Sequence, residues 1–135
     1  MNYIIEAILV GLYTCLIYML FSPFIKNFIV LLLVVGFFKH FLSSSLGIHT
    51  WYCNNGEACL KVLSQDQNYN ANTLYLIRES FYESLAFLTM GLIFRPIIGN
   101  MYLFFMIGVL LHIIAEKLLI HKSFCKKTCD IIESN

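Results

Sequence analysis

Apolar residues dominate four long stretches of the chain, 4–21, 28–46, 74–94 and 97–120, and short polar breaks separate them. A surface helix of a soluble protein keeps a polar face, but 28–38 is apolar on every side and shows no such period. Each stretch approaches the ~20 residues that a helix needs to cross a bilayer core. The third is the weakest, since Arg78, Glu79 and Glu83 occupy its first turns and only 85–94 is continuously apolar. That helix is expected to start outside the hydrocarbon or to face the interior of a bundle. Proline cannot extend a preceding helix without strain and suits the first turn of the next, so Pro23 and Pro96 mark two tight turns. The pattern predicts an all-α fold, a four-helix transmembrane bundle made of two helical hairpins.

The chain also matches itself. At an offset of 73, Glu6, Phe21, Pro23 and Asn27 meet Glu79, Phe94, Pro96 and Asn100. At an offset of 72, Gly36, His40, Ile48, His49 and Cys53 meet Gly108, His112, Ile120, His121 and Cys125. Matches at Leu or Ile are cheap here, but Glu, Pro, His, Gly and Cys are scarce and recur in order. The expected organisation is a single domain with one repeat unit at 1–59, a connector at 60–73, a second unit at 74–129 and a short tail at 130–135. Tandem hairpins put the N-terminus, the polar loop 47–73 and the tail on one membrane face, with a pseudo-two-fold axis along the membrane normal. If helix continued from His40 to His49, and from His112 to His121, nine residues would separate each pair by ~13 Å.

Composition supports lipid as the solvent: 59% hydrophobic and 13% charged residues lie outside the usual soluble range. A net charge of +1 supplies no basic footprint, so no nucleic-acid partner is expected, and no phosphate-binding loop or serine-hydrolase motif occurs. No enzyme activity and no cofactor are expected. The first stretch lacks a positive leader and a cleavage site, so it reads as a helix that stays. Lys61, Lys117, Lys122, Lys126 and Lys127 would make the loop-and-tail face cytoplasmic, against Lys26 and Arg95 at the tips.

Four cysteines, Cys53, Cys59, Cys125 and Cys129, share that face, while Cys15 lies within the first helix. Two disulfides are the leading reading. Repeat symmetry favours Cys53–Cys59 with Cys125–Cys129, although three connectivities are open. Disulfides require an oxidising compartment, which conflicts with the orientation drawn from the lysines, so orientation stays open. A competing reading uses the equal spacing of His49 with Cys53 and His121 with Cys125 to hold one tetrahedral zinc. The spacings are not Cys-x-x-Cys, which argues against thiol–disulfide catalysis.

Ionisable residues gather toward the same face: Glu6, Lys39, His40, Arg78, Glu79, Glu83, His112 and Glu116. Charge is costly in hydrocarbon, so these side chains should face one another. Glu6, Glu79, His40 and His112 around the axis could relay protons or bind a metal, or could serve as polar pairs that hold helices together. Gly36 and Gly108 suit close helix approach, and Trp51, Tyr52 and Tyr75 an interfacial aromatic belt.

With its two Ile-His-x-x-aromatic-Cys closures and the turn Tyr52-Cys53-Asn54-Asn55-Gly56, the chain resembles small multi-spanning membrane proteins of nucleocytoplasmic large DNA viruses. The resemblance implies a multi-pass protein of a viral internal membrane, an envelope or a host endomembrane, and carries no catalytic residue. Its partners would be the lipid bilayer, other membrane or capsid proteins, or a second copy of itself. The expected function is a structural component that presents a disulfide-tied loop and a basic tail to a partner. A small transporter, channel or proton relay is the alternative, and a membrane thiol–disulfide oxidoreductase the third reading.

Overall fold

The computed structural model describes residues 2–62, 67–69 and 73–131. Seven helices and one short ribbon follow in chain order: α1 (Tyr3–Phe21), α2 (Phe28–Ser45), α3 (Ile48–Asn55), α4 (Glu57–Val62), β1 (Gln67–Tyr69), α5 (Thr73–Phe94), α6 (Asn100–Lys117), α7 (Ile120–Thr128) and β2 (Cys129–Ile131). The connector residues Gln65, Asp66, Asn70 and Asn72 and the tail beyond 131 lie outside the described residues. The fold is helical as expected, except that β1 and β2 pair antiparallel with Tyr69 opposite Cys129. The short helices α3, α4 and α7 gather into a cap, with α4 against α7.

Local chemistry explains the helix boundaries. Asn2 accepts the amide of Ile4 at 2.9 Å and Asn27 those of Ile29 and Val30 at 3.0 and 3.2 Å, so both helices begin on side-chain caps. Pro23 and Pro96 sit in the turns between α1 and α2 and between α5 and α6. The fourth apolar stretch is not one helix: α6 starts only at Asn100, and the chain breaks again before Ile120. Leu119 takes a left-handed conformation there, φ 61°, and Gly47, seventy-two residues earlier, does the same at φ 75°. Such a residue cannot continue a right-handed helix. Each long helix therefore ends, and α3 and α7 leave in new directions.

The long helices do not pack chiefly within their own hairpins. The extensive contacts run between halves, α2 along α5 and α1 along α6, whereas α1–α2 and α5–α6 touch less. Glycine permits the closeness. A Cβ added at Gly36 would lie 2.9 Å from Cα of Ser84, and one at Gly108 only 2.4 Å from Oγ1 of Thr14 and 3.1 Å from Cα of Gly11. Ser84 donates across to the carbonyl of Leu33 at 2.8 Å, adding a polar tie between α5 and α2. Leu32, Val35, Phe87, Leu103, Phe104 and Ile107 fill the space among the four long helices.

Polarity is distributed opposite to that of a soluble protein. On α1, Ile5, Leu12, Leu16 and Leu20 face outward, while Glu6 and Thr14 are buried. Exposed large apolar side chains beside buried polar ones are the informative combination. Three helices, α1, α2 and α6, are long and apolar enough to cross a membrane, with mean hydropathies of 2.2, 1.9 and 1.4. In α5, at 22 residues, Arg78, Glu79 and Glu83 fall within every span-length window.

Replacing Gly36 or Gly108 with Ala should destabilise the fold by ~1–3 kcal/mol, because the added methyl meets the facing helix. Gly99→Ala should be nearly neutral, since nothing lies within 4 Å of the added carbon. Unfolding curves in mild detergent distinguish them, and equal stability of all three variants would contradict the packing described.

Candidate functional site

The cap is closed by sulfur. Cys53 pairs with Cys129 and Cys59 with Cys125, at Cα–Cα distances of 5.6 and 5.2 Å. This corrects the favoured pairing. The bridges cross between the halves and are nested in sequence, each joining the first cysteine of one half to the second of the other, because α4 lies against α7 and β1 against β2. All four cysteines are buried, with Tyr52 and Phe124 packed on them, while Cys15 is a free, buried thiol whose Sγ lies 3.7 Å from the carbonyl of Met101.

Beneath the cap the expected polar cluster divides into pairs. Glu6 lies 3.2 Å from Nε2 of His112 and also accepts the amide of Glu57 at 2.6 Å, so one carboxylate ties α1 to α6 and caps α4. Glu57 in turn accepts the amide of Tyr3 at 2.5 Å. On the other side Glu83 takes both Lys39 and, at 3.0 Å, Nδ1 of His40. Glu116 lies 3.0 Å from Nδ1 of His121. The four-residue site of Glu6, Glu79, His40 and His112 is thus assembled only in part: Glu6 meets His112, and Glu79, His40 and His112 border one cavity. His40 meets Glu83, one turn beyond Glu79, and Glu79 lines that cavity instead. Arg78 is exposed, its guanidinium 5.1 Å from the ring centre of Tyr75.

The histidines are closer than continuous helix would put them. Ring centres of His40 and His49 are 4.9 Å apart and those of His112 and His121 4.3 Å, against the ~13 Å of an unbroken helix. The left-handed residues at 47 and 119 fold α3 and α7 back over the long helices. All four rings line one cavity of about 400 Å³, together with Tyr13, Lys39, Tyr52, Glu79, Glu83 and apolar residues including Leu111, Ile114 and Phe124. Burial, then the neighbouring His40 ring, holds the His49 imidazole down at about 3, and burial followed by the His112 ring holds His121 at about 4 despite Glu116. Both rings are neutral near pH 7. Burial, reinforced by the carboxylates of Glu6, Glu116 and Glu57, pushes the Tyr52 phenol up, so its proton stays on.

The zinc set His49, Cys53, His121 and Cys125 is not assembled either. The His49 and His121 rings lie against His40 and His112, and the sulfurs pair with one another. Among the described residues, the one group of three donor atoms within 4.8 Å is Cys59, Cys125 and Cys129. Tyr52 lines the cavity. Two contributors escaped the sequence reading, Tyr52 as cavity wall and Glu57 as the partner of α1. The acidic first turn after Gly56 was the available signal for Glu57. No known protein family, curated protein or solved structure matches the chain.

Peptide mapping of unreduced protein should join Cys53 to Cys129 and Cys59 to Cys125 and leave Cys15 alone alkylated. Recovery of Cys53 with Cys59 would refute the crossed pairing. Acid should loosen the cap. Both histidines have folded pKa values below the unfolded ~6.5, so protons favour the unfolded chain, and stability, level above pH ~6.5, falls as pH drops toward 4. The slope is about 1.4 kcal/mol per pH unit for each histidine. Thermal unfolding at pH 7 and pH 5 measures it, and His49→Gln should flatten the dependence.

Proposed function

We propose that the chain is a four-span integral membrane protein, two tandem hairpins about a pseudo-two-fold axis along the membrane normal, serving as a non-enzymatic structural component. The observation that carries this reading is the crossed disulfide pair, which ties the cap segments of both halves while leaving no cysteine exposed. A thiol that exchanges electrons with a partner needs access, and these have none. The inner bridge closes a sequence separation of 66 residues and contributes on the order of 4 kcal/mol by restricting the unfolded chain, and the outer bridge, which then closes only a short remaining loop, adds about 2–3 kcal/mol. The result is a rigid platform, and Lys122, Lys126 and Lys127 are exposed on α7 as its basic face toward a membrane or capsid partner.

Support for the tandem arrangement comes from features repeated in both halves: left-handed residues at 47 and 119, close approach at Gly36 and Gly108, adjoining histidine pairs, and disulfides that interchange when the halves are swapped. Support for four spans comes from the outward apolar faces and from α5 lying along α2. The resemblance to viral membrane proteins suits a structural role in an internal membrane or envelope. A second reading, a proton relay or small transporter, draws on the four histidines lining one cavity.

Accessibility in sealed vesicles tests the topology. In a Cys15→Ser background, Phe24→Cys and Ile97→Cys, at exposed hairpin tips, should react with a membrane-impermeant maleimide from one side. Lys122→Cys should react from the other. Labelling of the two tips from opposite sides would overturn the arrangement. The same vesicles should show no pH-driven flux, and a flux abolished by His40→Gln with His112→Gln would favour the relay.

A further inference from the structure

The cavity beneath the cap has the make-up of a ligand site. At about 400 Å³ it falls within the range of small-molecule pockets, and its walls are mainly apolar and aromatic with a few polar groups placed among them. Its lining comes from both halves, so the site exists only when the hairpins have interlocked. The inference rests on the four-span reading, which puts the cavity at the lipid side of the cap.

Charge selects the class of ligand. Lys39 is tied to Glu83, Glu6 to His112 and Glu116 to His121, and the Tyr75 phenol hydrogen-bonds Glu79. A guest with a net charge would enter a poorly solvated space whose charged groups already have ionic or hydrogen-bonding partners, at a large desolvation cost. What the walls offer is neutral hydrogen bonding. The imidazoles of His49 and His121 are uncharged, and the Oη of Tyr52, fully buried, has no hydrogen-bond partner among the described residues. A buried hydroxyl without a partner is costly, and a ligand acceptor would remove that cost. The rings of Tyr52 and Phe124, packed edge to face with centres 6.0 Å apart, both border the cavity and give an aromatic guest a wall to pack on.

We propose that this cavity binds a neutral, lipid-soluble molecule bearing a ring-borne carbonyl or hydroxyl head, of the quinone type, with the Tyr52 hydroxyl donating to the ligand oxygen.

The test uses full-length, oxidised protein in lipid nanodiscs and decyl-substituted benzoquinone as probe. Trp51, the single tryptophan, adjoins Tyr52 in sequence and reports binding by quenching. Saturable quenching is expected, displaced by decanol and not by decanoate or decylammonium, which carry the same tail with a charged head. Tyr52→Phe, which removes only the hydroxyl, should weaken binding about tenfold, the effect of one hydrogen bond. Lys126→Ala on the outer face should leave it unchanged. Quenching that rises linearly without saturation, or is equal in Tyr52→Phe, overturns the proposal. Displacement by either charged analogue overturns the ligand class. Failure of the protein to enter nanodiscs defeats the membrane reading and this inference with it, whereas stable incorporation without saturable binding defeats the inference alone.

Discussion

The close approach of helices from opposite halves is the constraint on which the remaining features depend. Gly36 against Ser84, and Gly108 against Gly11 and Thr14, bring backbones together at distances that no larger residue permits. Where the outer faces are as apolar as Leu and Ile, lipid gives no hydrophobic reason for helices to associate, and van der Waals contact with interhelical hydrogen bonds must supply it. The pairing of α1 with α6 and α2 with α5 follows from where those small residues fall. Once it is made, Glu6 reaches His112, Glu83 reaches Lys39 and His40, and the cap segments meet above.

Crossed disulfides are the covalent image of that exchange. A hairpin that folded mainly on itself would bring Cys53 to Cys59 and Cys125 to Cys129. Helices that pair across halves instead carry α4 to α7 and β1 to β2, and the sulfurs follow. The polar pairs obey the same logic, for the carboxylates of Glu6, buried, and Glu83, partly buried, each find their basic partners on the opposite half. Buried ion pairs add little net stability, yet losing one partner strands a charge, so they act as a register for the cross-half arrangement. Glu6 extends that register into the cap by accepting the Glu57 amide.

The cavity is a by-product of two bends. With Gly47 and Leu119 left-handed, α3 and α7 fold over the helix ends, and rings expected at two depths meet in tilted pairs. A non-glycine residue in this conformation costs about 1 kcal/mol, and Leu119 is held there by the structure on either side. The space enclosed has mainly apolar walls with a few polar groups among them, which joins the structural and ligand-binding readings in one site.

Apolar run length, proline and asparagine placement, and the recurrence of scarce residues were sufficient in the sequence to predict the long helices, their turns, the close approach at Gly36 and Gly108, and the face on which cysteines and ionisable groups collect. These are local properties, set by backbone chemistry and by the cost of polar groups in an apolar solvent. Which helix meets which, which cysteine takes which partner, that His40 meets Glu83 rather than Glu79, and that Tyr52 lines a cavity were decided by tertiary structure. Each depends on contacts between residues 43 to 106 positions apart, or on one left-handed residue that redirects a helix. A periodic pattern along one segment records which side is apolar, and it contains nothing about the segment that will lie against it.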